Sequence, residues 1–257
     1  MDKWITKNQA TIFRISAVIF IFAAVLISKF TNTGSLIACA IYVFLVVSMF
    51  AALTSITVKT EKRLMSIFAK TCDPAELFDV FEHLYKINSK NIVYQINHSF
   101  VLSISGKSYE LKAFLEGIDI TKQKNIALRF IYYNNLFDAY YTLNMHNEME
   151  QAYLNALKCY NEMKSEKMKK SYENAINALC LDYAIAKGEA NKALIHIEKI
   201  SNDDLLQKAI YSFCMAKINL LQNEIEKAKE HLNFVIQNAS KISLGQEAKE
   251  LLEKIPQ

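Results

Sequence analysis

The chain is poor in residues that interrupt helices, with five glycines and two prolines among its 257 residues. It also has no Asn-Gly or Asp-Gly pair, the two-residue turn that most often joins neighbouring strands. These absences disfavour a fold rich in strands, because sheets need many tight turns. They favour helices joined by short connections, so the sequence predicts an all-α fold.

The sequence also lacks the patterns that hold phosphates, metals or catalytic nucleophiles. Gly-x-x-x-x-Gly-Lys, Gly-x-Gly-x-x-Gly, Gly-x-Ser-x-Gly and His-Glu-x-x-His are all missing. The five histidines are isolated, and none of the five cysteines forms a Cys-x-x-Cys pair. We therefore expect a protein that is not an enzyme and has no catalytic residue, no cofactor and no metal site.

Arginine is scarce, since only three of the 30 basic residues are arginine. The guanidinium group is the one that recognises phosphate through two parallel hydrogen bonds. Residues 1–58 carry a net charge of +3, residues 59–70 carry a further +3, and residues 71–257 carry −2. The long C-terminal part has no positive field to attract nucleic acid, so we expect no nucleic-acid partner.

The chain does contain one long uncharged run, residues 31–58, with eleven Leu, Ile, Val or Phe residues between Ser35 and Ile56. About twenty mostly apolar residues cross the hydrocarbon core of a bilayer, so this run predicts a membrane span over 35–57. A second apolar segment precedes it, and basic residues near both its ends can reach the headgroups, which predicts another span over 11–30. The sequence thus predicts an N-terminal transmembrane helical hairpin in contact with the lipid bilayer.

Basic residues near the two predicted spans set their orientation. Lys3, Lys7 and Arg14 precede or begin the first span, Lys59, Lys62, Arg63 and Lys70 follow the second, and the turn between them carries only Lys29. The positive-inside rule then places the N-terminus and the C-terminal domain of a multi-pass cell-membrane protein in the cytoplasm. We expect a membrane domain over 1–58, a basic juxtamembrane linker or helix over 59–72 and a cytosolic domain over 73–257.

A cleaved lipoprotein signal is the alternative for the N-terminal region, because Leu36-Ile37-Ala38-Cys39 resembles a bacterial processing site. A lipidated cysteine is normally followed by a polar mature chain, whereas Cys39 is followed by the apolar residues 42–47. We expect Cys39 to be a small packing residue inside the second membrane helix.

The cytosolic part repeats a pattern of paired helices around a turn. The turns are expected near Gly106, Asn147, Gly188 and Asn223. A longer helix is expected before each turn, over 91–104, 122–143, 167–187 and 203–221, and an amphipathic helix after it. Asp73-Pro74-Ala75-Glu76 predicts the start of a helix ahead of these pairs, and Ser243 to Lys254 predicts a last amphipathic helix.

Two of these turns carry a more specific pattern, in which alanine and then a large apolar residue follow the turn: Gly188 with Ala193 and Ile197, and Asn223 with Ala228 and Leu232. This pattern resembles the tetratricopeptide repeat (TPR). The resemblance covers residues 90–254 and implies a TPR-like α-solenoid of about four helix pairs, ended by a capping helix.

In repeats of that family the leading helices line a concave surface. The resemblance places seven residues toward this groove: Phe100, Asn134, Phe137, Tyr141, Asp182, Phe213 and Lys217. Their aromatic rings would suit the docking of a peptide or a partner helix. The alternative is that such rings pack between neighbouring repeats. The seven positions show no Lys and Asn clamp for a terminal carboxylate, which argues against the chaperone-tail binding mode of the family.

These features predict a membrane-anchored protein-interaction scaffold or adaptor of bacterial type, which presents its repeat domain to an unknown protein or peptide partner. Two alternatives stay open. The chain could be a small accessory subunit of a membrane transport or secretion complex, in which the hairpin is the working part. It could also be a peptide-sensing regulator.

Overall fold

The computed structural model describes residues 2–30 and 35–255 of the chain. These residues form thirteen α-helices and one 3-10 helix and contain no strand, which confirms the all-α prediction. The chain divides into two compact units, Met1–Ser66 and Ile67–Gln257.

The first unit contains α1 (Asp2–Phe30) and most of α2 (Ser35–Thr71). The segment Ala40–Thr71 of α2 is long and apolar enough to cross a membrane, and it is the one such segment among the described residues. A shorter apolar stretch, Thr11–Ala23, is found among the described residues of α1. Within the described part of this unit, therefore, one helix is long and apolar enough to span a membrane.

Two predicted segments of this unit, the basic segment after the second span and the turn between the spans, compare with the structure as follows. The segment predicted as a basic linker or helix, residues 59–72, continues α2 as a helix to Thr71. The predicted turn between the spans falls on residues 31–34, which lie outside the described residues, and so does the side chain of Cys39.

The first unit exposes many large apolar side chains. Among the described residues, 14 of the 22 exposed large hydrophobic side chains belong to this unit. Phe44 is 70% exposed and Phe50 is 62% exposed on α2, and Phe22 is 67% exposed on α1. The rings of Phe13 and Phe50 lie edge to face with centroids 6.2 Å apart, so α1 and α2 touch at this point. So large an exposed apolar surface is unfavourable in water.

The second unit is a series of helices joined by short turns. It contains α3 (Ala75–Ile87), α4 (Ile92–Ile104), α5 (Ser108–Glu116), a 3-10 helix (Ile120–Lys122), α6 (Ile126–Thr142), α7 (His146–Glu162), α8 (Glu166–Ser171), α9 (Glu173–Ala186), α10 (Ala190–Ile197), α11 (Leu205–Leu221), α12 (Ile225–Asn238) and α13 (Ser243–Lys254). Four consecutive pairs pack as helical hairpins: α4 with α5, α6 with α7, α9 with α10 and α11 with α12. The arrangement is thus helical and repeat-like. The helix expected over 167–187 is divided at Tyr172 into α8 and α9.

Three of the four leading helices, α4, α6 and α11, begin at a side-chain cap. The Asn91 side chain accepts a hydrogen bond from the backbone N–H of Val93, at 2.9 Å. Asn125 caps α6 in the same way, and Asp204 accepts from the backbone N–H of Gln207 at 2.9 Å. Such caps satisfy backbone donors that have no partner inside the helix, and each contributes about 1 kcal/mol.

The four hairpins share one turn geometry. Gly106, Asn144, Gly188 and Asn223 all have φ between 56° and 72°, the left-handed conformation that ends many helices. The next residue then donates its N–H to a carbonyl five residues earlier, as Glu189 does to Ala184 at 2.9 Å. The turn expected at Asn147 was wrong by three residues, because Asn147 lies in the first turn of α7 and Asn144 adopts the turn conformation.

The last helix, α13, packs on α11 and α12 and also returns to α4. The Ser243 hydroxyl donates to the carbonyl of Ser103 at 3.3 Å, which ties the start of α13 to the first hairpin. The close turn into α13 depends on Gly245, because a Cβ at this position would overlap the Ala239 carbonyl. Helix α13 therefore faces the leading helices in addition to covering the end of the repeats.

Candidate functional site

Each leading helix places one residue at the same point of its hairpin, six residues before the left-handed turn residue. These four residues are Phe100 on α4, Asp138 on α6, Asp182 on α9 and Lys217 on α11. All four line a single cavity. The repeat therefore brings one apolar, two acidic and one basic side chain to a common site.

This cavity, which we call the inner cavity, has a volume of about 270 Å³. Its wall comes from the leading helices on one side and from α13 on the other. Besides the four repeat residues, it is lined by Ser103, Ile104, Ser108, Tyr141, Thr142, Leu206, Ile210, Phe213, Cys214, Ile242, Ser243, Leu244 and Glu247. An apolar wall with a few convergent polar groups is the usual composition of a binding site.

Lys217 places its ammonium group among aromatic rings. Its Nζ donates a hydrogen bond to the Tyr141 hydroxyl at 3.3 Å. The same Nζ lies 4.2 Å from the centroid of the Phe213 ring and 4.9 Å from that of the Tyr141 ring. Both distances are within the range of cation–π attraction. The ammonium is thus held by ring faces and one hydroxyl.

Two carboxylates of the inner cavity are held by weak or neutral donors. The Ser103 hydroxyl donates to Asp138 Oδ2 at 2.6 Å, and the Cys214 thiol lies 3.9 Å from Asp182 Oδ1. Burial raises the pKa of Asp138 above its usual value, and it raises the pKa of Asp182 to about 6. Burial also raises the pKa of the third carboxyl group, Glu247. Desolvation disfavours the charged form of each acid.

The pKa values of the Lys217 ammonium group and the Cys214 thiol are also shifted by these surroundings. Burial by itself lowers the pKa of Lys217, but Tyr141, Asp182, Cys214 and Glu247 raise it, and the net shift is upward. Lys217 is therefore charged at neutral pH. Burial, followed by the nearby Asp182 charge, raises the pKa of the Cys214 thiol, so this thiol stays protonated.

The structure brings five of the seven sequence-predicted site residues to the inner cavity: Phe100, Tyr141, Asp182, Phe213 and Lys217. The other two, Asn134 and Phe137, are not among its lining residues. Phe137 is 2% exposed and packs its ring against Tyr141, with centroids 5.9 Å apart, and against Tyr153. Whether any of the seven residues binds a partner stays a prediction.

Sequence reasoning missed Asp138, Cys214 and Glu247. Asp138 was missed because the second turn was assigned to Asn147, so that Tyr141 took the repeat position that Asp138 occupies. The loop contains a second asparagine, Asn144. When Asn144 is taken as the turn residue, the position six residues before it is Asp138. Glu247 had no such signal, because its place depends on the return of α13 to α4.

The aromatic residues of α6 mostly follow the packing alternative. Phe130, Tyr132, Phe137 and Tyr140 are each less than 10% exposed. The Tyr132 hydroxyl donates to the Leu115 carbonyl at 3.1 Å, and the Tyr140 hydroxyl donates to Glu116 at 2.9 Å. Helix α6 is enclosed by α4, α5 and α7, so it buries rings on several sides. Tyr141 is the aromatic residue of α6 that lines the inner cavity.

The chain matches no protein-family model, and comparisons with curated proteins and with solved structures give no match either.

Proposed function

We propose that this protein is a membrane-anchored adaptor that binds a protein or peptide partner in the inner cavity of its helical-repeat unit. In this proposal the two N-terminal helices form a multi-pass anchor, with spans over 11–30 and 35–57. Both termini lie in the cytoplasm, and residues 73–257 form a TPR-like cytosolic domain.

The observation that carries the proposal is the convergence of equivalent repeat residues on one cavity. Phe100, Asp138, Asp182 and Lys217 come from four different helices, yet they occupy the same repeat position and line the same space. Charges removed from water are costly unless they are paired or used, so packing alone would favour apolar residues at these partly buried positions. A ligand-binding role gives a reason for these groups.

The membrane part of the proposal is supported by exposed apolar surface. Large side chains such as Phe44 and Val47 on α2 are more than 60% exposed. In lipid this surface is favourable, and a helix satisfies its own backbone hydrogen bonds there. The basic residues that follow the apolar part of α2 suit the cytoplasmic side of a bilayer.

We further propose that the protein acts by binding alone. The Cys214 thiol is buried, and its pKa is raised, so it is a poor nucleophile. The Lys217 ammonium has a raised pKa as well and does not serve as a base at neutral pH. The thiol and the ammonium group of the inner cavity are thus in their unreactive protonation states.

Site-specific photocrosslinking in native membranes tests the proposal. The photoreactive residue p-benzoylphenylalanine is placed in the full-length chain at Ile210, which lines the inner cavity and is 37% exposed. The matched control is the same residue at Ile195 on α10, which is 56% exposed and not among the cavity lining residues. We expect a discrete protein adduct from position 210 that position 195 does not give. Equal adducts at both positions, or none at 210, would contradict the proposal.

A further inference from the structure

The lining of the inner cavity has an imbalance of charge. Asp138, Asp182 and Glu247 supply three carboxyl groups, whereas Lys217 is the one basic residue among the lining residues. The formal charge of the cavity is therefore negative when the acids are ionised. A ligand that brings positive charge would reduce this imbalance, and an anionic ligand would increase it.

None of the three carboxylates has a cationic partner at ion-pair distance. Among the residues that the structure describes, the ion pairs shorter than 4.0 Å involve other acids. Asp182 is the clearest case, because the hydrogen bond given to its carboxylate is a long one from the Cys214 thiol, a weak donor. A partly buried carboxylate with so weak a partner can accept a strong hydrogen bond from a ligand.

The behaviour of Lys217 indicates the sign of the local potential. Burial alone would lower the pKa of a lysine ammonium, as it does for buried lysines in general. In the inner cavity the pKa of Lys217 is raised instead, by Tyr141, Asp182, Cys214 and Glu247, of which the carboxylates, unlike the Tyr141 hydroxyl and the protonated Cys214 thiol, can carry negative charge near neutral pH. The interior of the cavity is thus favourable to positive charge even with one ammonium already present.

The size and the walls of the cavity restrict the ligand further. A volume of about 270 Å³ is slightly below the range of roughly 300 to 1,000 Å³ that is typical of sites for whole small molecules. This volume equals that of roughly nine water molecules in the liquid, which is enough for one long side chain. The rings of Tyr141 and Phe213 already attract the Lys217 ammonium, and aromatic rings beside carboxylates form a favourable site for an organic cation.

We infer that the inner cavity receives one lysine or arginine side chain of the protein partner, whose alkyl stem packs on Phe213 and Ile210 and whose cationic end meets Asp138, Asp182 and Glu247. The inference rests on the proposed function, because it names the chemistry by which the partner is recognised.

Defined peptides and the full-length protein in detergent micelles test the inference. The probe is the capped pentapeptide acetyl-Ala-Ala-Lys-Ala-Ala-amide, and its neutral counterpart carries norleucine in place of lysine. We expect the lysine peptide to bind at least about tenfold more tightly in titration calorimetry, because a charge-assisted hydrogen bond to a carboxylate is worth this much. A peptide with glutamate at the central position should bind more weakly than the norleucine peptide.

Substitutions of different cavity residues should change the affinity for the lysine peptide in opposite directions. Asp182→Asn and Glu247→Gln should each weaken binding of the lysine peptide by about tenfold, because each removes a carboxylate acceptor. Lys217→Met should strengthen binding several-fold, because it removes a competing positive charge. Glu253→Gln, on the same helix as Glu247 but exposed and outside the cavity lining, is the matched control and should leave the affinity unchanged. The melting temperature of each variant is measured alongside, so that unfolding is distinguished from lost binding.

The outcomes separate this inference from the proposed function. A crosslink at Ile210, together with equal binding of the lysine and norleucine peptides, overturns the inference and leaves the proposed function standing. Loss of lysine-peptide binding in a folded Lys217→Met variant also overturns it, because removal of a competing positive charge cannot weaken the binding of a cation at this site. If n-butylammonium chloride binds as tightly as the pentapeptide, the cavity is a site for a free amine. The inference that it receives a side chain of a protein partner is then overturned. Absence of the Ile210 crosslink removes the proposed function itself.

Discussion

At the scale of single residues, the inner cavity concentrates groups whose ionisation is costly in the folded state. Asp182 shows this most clearly, because burial raises its pKa from 3.8 to about 6. Between about pH 4 and about pH 6 the folded chain then holds a proton that the unfolded chain has lost. Stability contributed by this group is present below about pH 4 and is lost as the pH rises through 6.

The substitution Asp182→Asn removes this penalty and should stabilise the protein at neutral pH. A two-unit shift corresponds to at most about 3 kcal/mol, and solvent screening of this partly exposed side chain reduces the gain to about 1 to 2 kcal/mol. We expect the variant to melt higher than the wild type at about pH 8 and the difference to narrow as the pH approaches 4, measured by circular dichroism on the full-length protein in micelles. Asp203→Asn, an exposed acid outside the cavity, should change little at either pH. If the difference in melting temperature between Asp182→Asn and the wild type grew toward low pH, the raised pKa of Asp182 would be contradicted.

At the scale of helices, the sequence predicts the elements well and their register less well. The leading helices expected over 91–104 and 203–221 are α4 and α11, because their ends carry an asparagine or aspartate cap and a left-handed turn residue. The second turn could not be placed because Asn144 and Asn147 are equally suited to it by residue type. That error of three residues is enough to exchange Asp138 for Tyr141 in the predicted groove.

The return of α13 to α4 is the feature that the sequence does not reveal. Amphipathic periodicity predicts that Ser243 to Lys254 is helical, and α13 has these bounds. It does not say which other helices the apolar face of α13 meets, because that depends on the accumulated rotation of the preceding hairpins. The sequence therefore predicts the groove residues on the leading helices but not the wall that α13 supplies.

The position of α13 depends on Gly245, which suggests a direct test of its role. In Gly245→Ala the added methyl group would overlap backbone atoms of Ala239 and Ser240, which no rotamer change can relieve. We expect a loss of about 1 to 3 kcal/mol in unfolding free energy, the usual cost of overpacking, together with weaker binding in the inner cavity. Gly117→Ala is the control, because a Cβ there meets its nearest neighbour at an ordinary 3.4 Å and φ is negative. Equal stability of the two variants would show that α13 can shift without cost.

At the scale of the whole molecule, the two units expose different kinds of surface. The first unit carries most of the exposed large apolar side chains among the described residues, whereas the second packs many of its aromatic residues between helices. A domain made for water hides such side chains, and a helix in lipid does not need to. The proposed membrane anchor follows from this contrast together with the length of the apolar part of α2.

Alkaline carbonate extraction of membranes tests the anchor on the full-length chain. We expect the wild type to stay in the membrane pellet and the double variant Phe44→Lys, Val47→Lys to move largely to the supernatant. Each lysine near the centre of a span costs about 2.5 to 3.5 kcal/mol of insertion free energy, so the pair costs about 5 kcal/mol or more. The first proposed span, 11–30, has Arg14 and Lys29 near its ends and inserts less favourably than the second, so we expect it to leave the membrane together with the disrupted second span.

The matched control for this experiment makes the same chemical change on exposed apolar residues of the second unit. Leu154 and Ile195 are 50% and 56% exposed, and Leu154→Lys, Ile195→Lys should leave the protein in the pellet because these residues meet water in our proposal. Release of both double variants would mean that added charge, and not the loss of a lipid contact, frees the protein. Retention of the Phe44, Val47 variant would mean that lipid does not surround this face of α2, and the anchoring proposal would then fail. The two double variants are expected to respond differently although both replace apolar residues by lysine. A lysine on the second unit stays hydrated, whereas a lysine on α2 must lose its water to enter the bilayer.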